Sequence, residues 1–191
     1  MKAILLKTAL LIFAITFLDC ENNDPQDQLP PITQTGANTF GAIVNGKVFI
    51  PKDKTGYSAP GGGKAKGLNI SSGDGIISKN YYAISAVNYI DTDIYIPEDR
   101  PQQGEYFFKL SPGTTSTSNA PDFAHIYCYI NDRKYISYEN SVSINFEVVD
   151  FIKQVCAGSF YVKLKNENDV NDIIEITNGR FDLICTEPIG D

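Results

Sequence analysis

Residues 142–148 read VSINFEV, and this stretch indicates the fold class more clearly than any other. Apolar side chains at Val142, Ile144, Phe146 and Val148 alternate with a serine, an asparagine and a glutamate. Successive side chains of a β-strand point to opposite faces, so this pattern predicts a strand with one buried and one exposed face.

The same alternation recurs in other short segments that turn sequences separate. Glu105–Leu110 and Ala124–Ile130 alternate in the same way. Asn45-Gly46 lies between two apolar runs, and Asn-Gly is a strong signal for a two-residue hairpin turn because both residues tolerate positive φ. A last hairpin is predicted to pair Val155–Leu164 with Ile173–Ile184.

No segment beyond the N-terminal leader shows the 3.6-residue periodicity of a helix. About ten short strands with turn signals between them predict an all-β domain, either an antiparallel β-sandwich or a barrel-like sheet. The alternation alone does not distinguish these two architectures, because both bury one face of every strand.

The N-terminus has the pattern of an export signal that ends at a cysteine. A lysine-containing start leads into an apolar run over residues 8–18, followed closely by Cys20. This run is too short to cross a bilayer, which needs about 20 apolar residues. Phe17-Leu18-Asp19 offers no small residue of the kind that an ordinary cleavage site requires. We therefore expect residues 1–19 to be a lipoprotein signal peptide and Cys20 to be lipidated.

The alternative is a plain secreted protein in which Cys20 is a bystander. Phe17 and Leu18 fit a relaxed lipobox, whereas Asp19 departs from the small residue that usually precedes the modified cysteine. The acidic residues Glu21 and Asp24 resemble the surface-export signal of lipoproteins in the Bacteroidota. That resemblance implies an extracytoplasmic, lipid-anchored protein on the outer membrane.

The mature chain divides into a tether and one domain. Residues 20–37 are rich in Asn, Gln, Asp, Pro and Thr, which predicts a lipidated cysteine followed by a flexible linker. Residues 38–191 are long enough for a single all-β domain. Removal of the leader changes the net charge from −7 to −8. An acidic chain is a poor nucleic-acid binder, because phosphate contacts need Lys and Arg.

Three cysteines follow Cys20, and an odd number leaves at least one of them unpaired within the chain. Cys156 and Cys185 both face the core if a β-bulge at Asn178-Gly179 switches the inward parity of the last strand. A Cys156–Cys185 disulfide is one interpretation, and buried free thiols, with Cys128 also inward, are the other. A bonded pair predicts an intact mass, without reductant, about 2 Da below that of free thiols. A mass equal to the free-thiol value contradicts the bond.

His125 is the only histidine, and it shares a strand face with Tyr127 and Tyr129. These three residues are a candidate ligand face. The favoured alternative is an ordinary sheet face, solvated or partly packed, because no Ser or Cys nucleophile motif accompanies the histidine. Cys128 points to the opposite face of the same strand. We predict no catalytic residue, no cofactor and no metal site, since one histidine without a C-x-x-C pair cannot complete a common zinc site.

Two segments resemble a family of small, uncharacterised lipoproteins common in the Bacteroidota. They are Thr33–Pro51 (TQTGANTFGAIVNGKVFIP) and Cys156–Asp182 (CAGSFYVKLKNENDVNDIIEITNGRFD). The family pattern is an N-terminal NTFG…VNGK hairpin and a C-terminal hairpin that here reads GSF…ITNGRFD. Relatives often carry Cys two residues after the first motif's Phe, where this chain has Ala42, so a disulfide made there is absent. The resemblance implies an extracytoplasmic β-domain of unknown function, with no active site.

These features predict a surface-tethered, non-enzymatic lipoprotein that binds or scaffolds a component of the cell envelope. Expected partners are the membrane, through the lipid, and an envelope protein or glycan. The alternative is a carbohydrate- or protein-binding accessory of a nutrient-uptake system. Eleven Tyr and eleven Phe could supply stacking surfaces for sugars, although Trp is absent. A carboxylate-based hydrolase is less favoured, because sequence cannot place two carboxylates at the separation that glycosidases need.

Overall fold

The computed structural model describes residues 24–53, 66–74, 80–115 and 121–185, and these parts are almost entirely β-structure. The predicted all-β antiparallel fold is confirmed. The sequence leaves a sandwich and a barrel-like sheet as alternatives. The structure has a single curled sheet that forms half of a barrel. A short 3-10 helix, Pro25–Gln28, precedes the strands.

Eleven strands are described, and all of their pairings are antiparallel. In chain order they are β1 (Thr39–Val44), β2 (Lys47–Phe49), β3 (Leu68–Asp74), β4 (Asn80–Val87), β5 (Asp91–Ile96), β6 (Gly104–Phe107), β7 (His125–Ile130), β8 (Arg133–Ile136), β9 (Val142–Asp150), β10 (Val155–Asn166) and β11 (Ile173–Ile184).

The sheet divides at its longest strands. The main path runs β2-β1-β11-β10-β8-β7-β5-β4-β3. The end of β10 pairs with β8 through Lys165 and Asn166, whereas the part of β10 before it pairs with β9. Strand β9 carries β6 on its other side. Strands β6, β9, β10 and β11 therefore form a four-stranded branch, which we call the branch sheet.

The turn predicted at Asn45-Gly46 is confirmed. It joins β1 to β2, and its two residues have φ values of 47° and 78°. Positive φ at both central positions is the requirement of a type I′ turn, whose twist matches that of the flanking strands. Asn131 and Asp132, with φ values of 49° and 63°, make the equivalent connection between β7 and β8.

The predicted β-bulge at Asn178-Gly179 is also confirmed. Three steps along β11, from Gly179 to Ile176, match two steps along β10, from Phe160 to Val162. Asn178 takes up the extra residue with a φ of 51°. The bulge switches the parity of β11, so that residues on both sides of it place their apolar side chains on the same face.

A second bulge, in β9, was not predicted. Ala157 of β10 pairs with Val148, but the next residue, Gly158, pairs with Phe146, so Glu147 is the extra residue. Beyond the bulge Val149, and not Val148, packs against the core. The sequence predicts Val148 on the buried face of β9, but the bulge places Val149 there instead.

The inner face of the curled sheet forms one apolar core. Its largest fully buried side chains are Phe40, Phe49, Tyr82, Ile84, Ile90, Ile94, Ile96, Phe108, Ile126, Ile144 and Phe146. Phe146 packs edge-on against Phe181 with 5.2 Å between the ring centroids. Each such side chain contributes about 1.5–3 kcal/mol through burial, so the core dominates the stability of the domain.

The β2 end of the sheet is covered by the turn between β4 and β5. The Tyr89 hydroxyl donates to the carbonyl oxygens of Lys47 and Val48 at 3.2 and 3.1 Å. The side-chain amide of Asn88 donates to the carbonyl of Ile50 at 2.9 Å. These contacts occupy backbone groups of a strand edge that would otherwise be open to pairing with another chain.

The segment Asp24–Ala37 packs against the sheet, which corrects the expected flexible linker for these residues, whereas residues 20–23 lie outside the described part of the chain. Leu29 is buried, and Pro30 lies over Gly41 of β1, where a Cβ would come within 2.6 Å of the proline ring. Composition did not predict this packing, because it depends on one apolar residue, one glycine and a single buried carboxylate.

That carboxylate belongs to Asp182 of β11. It accepts hydrogen bonds from Thr33 Oγ1 at 2.6 Å and from the backbone N–H groups of Thr35 and Gly36 at 3.0 and 2.7 Å. Burial alone would raise the pKa of Asp182, but these hydrogen bonds outweigh that effect, so the pKa lies below its ordinary value. A charged acceptor thus fixes the N-terminal segment to the outer face of β11.

Candidate ligand-binding groove

The outer face of the branch sheet carries a polar row of side chains that runs across its strands. Glu105 of β6 lies opposite Asn145 of β9. Asn145 in turn lies opposite Ser159 of β10, and Ser159 lies opposite Arg180 of β11. Directly opposed residues of antiparallel strands point to the same face, so these four polar side chains share one surface.

A second row, with two aromatic rings, lies beside the first. Phe107 of β6 lies opposite Ser143 of β9, and Ser143 lies opposite Tyr161 of β10. The bulge residues Thr177 and Asn178 stand next to Tyr161 on β11. Phe107 is 66% exposed, which is unusual for so large an apolar side chain.

An open groove of about 550 Å³ lies over the central residues of the two rows, with Phe107 beside it on β6 and Arg180 beside it on β11. It is lined by Glu105, Ser143, Asn145, Ser159, Phe160, Tyr161, Thr177, Asn178 and Gly179. A second cavity of about 210 Å³ shares Ser159, Asn178 and Gly179 with it and extends to Gln26 and Ile32 of the N-terminal segment. Volumes of this order are typical of sites for small ligands or for short stretches of a polymer.

Hydroxyl groups in and beside the groove donate to glutamate side chains. Ser143 donates to Glu105, and Ser159 donates to Glu147 Oε1 at 3.0 Å. These bonds fix the side chains in place before any ligand arrives, which lowers the entropy cost of binding.

The third pair of this kind is Tyr161 with Glu175. The Tyr161 hydroxyl donates to Glu175, and Lys163 Nζ lies 3.6 Å from the same carboxylate. The Tyr161 hydrogen bond, helped by Lys163, holds the pKa of Glu175 below its ordinary value, and Glu175 raises the pKa of Tyr161. At neutral pH the carboxylate is ionised and the phenol is protonated, and their bond holds the tyrosine ring across the sheet face.

Two glycines contribute backbone to the floor of the groove. A Cβ on Gly179 would lie 2.6 Å from the ring of Phe160, and a Cβ on Gly158 would lie 2.0 Å from the carbonyl oxygen of Asn145. At both glycines the Cβ would point to the core side of the branch sheet. Glycine therefore allows the close packing beneath the floor, and a larger residue would displace it.

The N-terminal segment forms one wall of the groove. Arg180 Nη2 donates to the carbonyl oxygen of Gln26 at 3.1 Å, and Gln34 Nε2 donates to Glu147 Oε2 at 3.3 Å. Ile32 is largely exposed beside these contacts. The wall depends on the Asp182 hydrogen bonds, because they hold the same segment on β11.

The candidate ligand face of His125, Tyr127 and Tyr129 is placed elsewhere, on β7. His125 is fully buried, and its ring stacks on that of Tyr95 at 4.7 Å between centroids. Ser111 Oγ lies 3.0 Å from His125 Nδ1 and accepts a hydrogen bond from the Gly113 N–H at 3.0 Å. Burial lowers the pKa of His125 to about 4, so the ring is neutral at pH 7.

Residues 109–113, which we call the covering segment, close this face. The Lys109 N–H donates to the Ala124 carbonyl, and the Ser111 N–H donates to the Ser137 carbonyl, both at 3.0 Å. Tyr127 is buried, whereas Tyr129 is 39% exposed. The three residues therefore share a face that is packed at His125 and Tyr127 and partly exposed at Tyr129, and they do not form an open platform.

The cysteines lie away from the groove. Cys156 and Cys185 form a disulfide between β10 and the end of β11, with 5.7 Å between their Cα atoms. Cys128 is a buried free thiol on the core side of β7, and burial raises its pKa. The candidate lipidation site, Cys20, lies outside the described residues.

Sequence reasoning did not identify the groove, although its signal was present. The outward positions of VSINFEV are Ser143, Asn145 and Glu147, and all three line the groove or its continuation. The predicted hairpin of β10 and β11 follows β9 in the chain, so the outward residues of these three strands could have been predicted to share one face. The position of β6 beside β9 could not, because 34 residues lie between the end of β6 and the start of β9.

In the parts of the chain that the structure describes, no helix is long and apolar enough to span a membrane. No cluster of three or more His, Cys, Asp and Glu side chains with the geometry of a metal site occurs there either. The chain matches no protein-family model, and no curated protein and no solved structure shows detectable similarity to it.

Proposed function

We propose that this chain is an extracytoplasmic lipoprotein, anchored through Cys20, whose domain binds a component of the cell envelope in the groove of the branch sheet. The groove is the observation that carries the binding role, because it is an open surface with pre-positioned polar groups, and the exposed ring of Phe107 stands beside it. The leader sequence, with its short apolar run before Cys20, supports the anchor.

The groove is suited to binding more than to catalysis. Its serines donate to glutamates, and the one histidine of the chain is buried on β7 beside Ser111, so the groove itself contains no Ser–His pair to act as nucleophile and base. Glu175 beside it has a lowered pKa and is a poor proton donor at neutral pH. We therefore propose a non-enzymatic role, with the carboxylates acting as hydrogen-bond acceptors.

The proposed anchor also sets the orientation of the groove. Four residue steps separate Cys20 from Asp24, and a fully extended chain of that length reaches about 14 Å. The packed segment that starts at Asp24 is a wall of the groove. A lipid on Cys20 would hold this wall close to the membrane surface, where envelope polymers and proteins are concentrated.

Expression of the full chain in a host with lipoprotein processing tests the anchor. We expect wild-type protein to fractionate with membranes, carry a diacylglyceryl group on Cys20 and accumulate as precursor when globomycin is added. We expect Cys20→Ala to lose the lipid and the globomycin response. A wild-type chain that is cleaved without lipid and stays soluble would overturn the anchor.

Cosedimentation with washed envelope fragments tests the binding role. The detergent-solubilised full chain is compared with Asn145→Ala, in the polar row, and with Asn168→Ala, at the exposed tip of the β10–β11 hairpin. We expect the wild type and Asn168→Ala to sediment and Asn145→Ala to bind more weakly. Equal sedimentation of all three chains, or none by any, would contradict a groove-based role.

A further inference from the structure

Two outward aromatic side chains of the branch sheet stand two strands apart, Tyr161 in the groove and Phe107 beside it. Phe107 and Tyr161 lie in one cross-strand row with Ser143 between them. Neighbouring strands are separated by about 4.8 Å, so the two Cα positions are about 10 Å apart. Both side chains point outward, and the hydrogen bond from Tyr161 to Glu175 fixes the direction of one of the rings.

The parallel row supplies polar groups of mixed character at the same spacing. Glu105 offers carboxylate acceptors, Asn145 offers both a donor and an acceptor, and Arg180 offers guanidinium donors. A ligand that lies across the strands would therefore meet apolar rings on one side and alternating donors and acceptors on the other. Ligand hydroxyls, which both donate and accept, match such a row better than groups of fixed polarity do.

Charge narrows the ligand class further. Glu105, Glu147 and Glu175 stand in or beside the groove, against the two cations Arg180 and Lys163, and the chain has a net charge of −7. A polyanion would meet these carboxylates with few compensating cations. A peptide strand would lie parallel to a sheet edge to pair its backbone, whereas the two rows of side chains run across the strands from β6 to β11.

We infer that the groove binds a neutral glycan chain lying across β6, β9, β10 and β11. This inference rests on the proposed function, because it names the ligand of the same groove. The sugar rings place their apolar C–H faces on Phe107 and Tyr161, two units apart along an extended chain, while their hydroxyl edges meet Glu105, Asn145 and Arg180. Ser143 lies between the aromatic contacts.

Affinity electrophoresis of the full chain in neutral detergent tests the inference. The gels contain soluble mannan, dextran, xylan or β-glucan as neutral probes and polygalacturonate as the anionic probe. We expect at least one neutral polysaccharide to retard the wild type and polygalacturonate to have no effect. Phe107→Ala and Tyr161→Ala should each weaken the retardation about tenfold, which corresponds to about 1.4 kcal/mol.

Matched variants distinguish a loss of ring stacking on the ligand from a loss of folding. Ile152→Ala removes another exposed apolar side chain, 95% accessible at the β9–β10 turn, and should bind as the wild type does. Tyr161→Phe keeps the ring but loses the bond to Glu175, and it should retain most of the binding that Tyr161→Ala loses. Thermal midpoints measured for every variant identify any that is merely unfolded.

The outcomes distinguish this inference from the proposed function. If no neutral polysaccharide binds but envelope cosedimentation still depends on Asn145, a neutral glycan is not the ligand, and the groove remains the proposed binding site. If polygalacturonate binds more tightly than the neutral polymers, or if Ile152→Ala weakens binding as much as Phe107→Ala, the inference is overturned. If neither assay depends on groove residues, both proposals fail.

Discussion

The outer faces of two parts of the same sheet differ in what covers them. On β5 and β7 the outward side chains include Tyr95, His125 and Tyr127, and the covering segment buries them in a second, smaller packed layer. On the branch sheet the N-terminal segment covers the outward side chain of Asp182, but within the described residues no segment crosses the groove at Tyr161. One face has become interior and the other has remained a surface.

The difference shows what strand periodicity can and cannot predict. A period of two assigns each residue to a face of the sheet, but loops decide whether that face meets solvent. His125, Tyr127 and Tyr129 have the aromatic composition of a binding platform and are largely buried. The plainer sequence of β9, with serine, asparagine and glutamate outward, lines the open groove.

The largest effect on stability should come from removing a large side chain from the covered face of β5 and β7. Tyr95 is fully buried against His125, so Tyr95→Ala should lower the free energy of unfolding by about 4 kcal/mol, as for an aromatic core residue. Its hydroxyl has no hydrogen-bond partner within the described residues, so Tyr95→Phe should be neutral or slightly stabilising. Urea denaturation measures both variants. A loss below 1 kcal/mol for Tyr95→Ala would mean that the covering segment is not packed as described.

The next effect concerns the wall of the groove. Asp182→Ala removes a buried, charged acceptor of several hydrogen bonds and should cost about 3 kcal/mol, because the N-terminal segment loses the bonds that hold it on β11. Asp27→Ala, on an exposed carboxylate of the same segment, is the matched control and should change stability by less than about 0.5 kcal/mol. Proteolysis at residues 24–37 should accelerate in Asp182→Ala alone. Equal protection in both variants would contradict the role of Asp182.

Acidification should destabilise the covered face selectively. The pKa of His125 is lowered from 6.5 to about 4 by burial, so the unfolded chain binds a proton at a pH where the folded chain does not. Stability is therefore complete above pH 6.5 and falls as the pH drops from 6.5 toward 4, by about 2 kcal/mol at pH 5. His125→Gln removes the only histidine and should flatten the dependence between pH 7 and 5. An unchanged slope in this variant would refute the burial of a neutral imidazole.

The smallest effect on stability is expected in the groove. Phe107 is mostly exposed on an edge strand, so Phe107→Ala should change the free energy of unfolding by less than about 0.5 kcal/mol. The same substitution is expected to weaken ligand binding, which separates a functional residue from a structural one. A destabilisation above 2 kcal/mol would show that Phe107 packs as a core residue, and would remove one of the two stacking positions.

Local pattern predicted much of the fold and little of the site. The Asn45-Gly46 turn, the Asn178-Gly179 bulge and the last hairpin follow from turn chemistry and parity within a few residues. The β9 bulge at Glu147 left no signal, because glutamate and valine fit either register. The hydrogen bonds between Asp182 and the N-terminal segment join residues more than 140 positions apart, and the pairing of β6 with β9 is also long-range. Such contacts are fixed by the topology of the sheet, which periodicity does not specify.

Hydroxyl-radical footprinting of the intact chain, free and with a bound polysaccharide, compares the two faces directly. We expect Phe107 and Tyr161 to be oxidised in the free protein and protected by the ligand. We expect Tyr95 and His125 to be unreactive in both states. Oxidation of Tyr95 and His125 at the rate of Tyr161, or ligand protection confined to residues outside the branch sheet, would contradict these expectations.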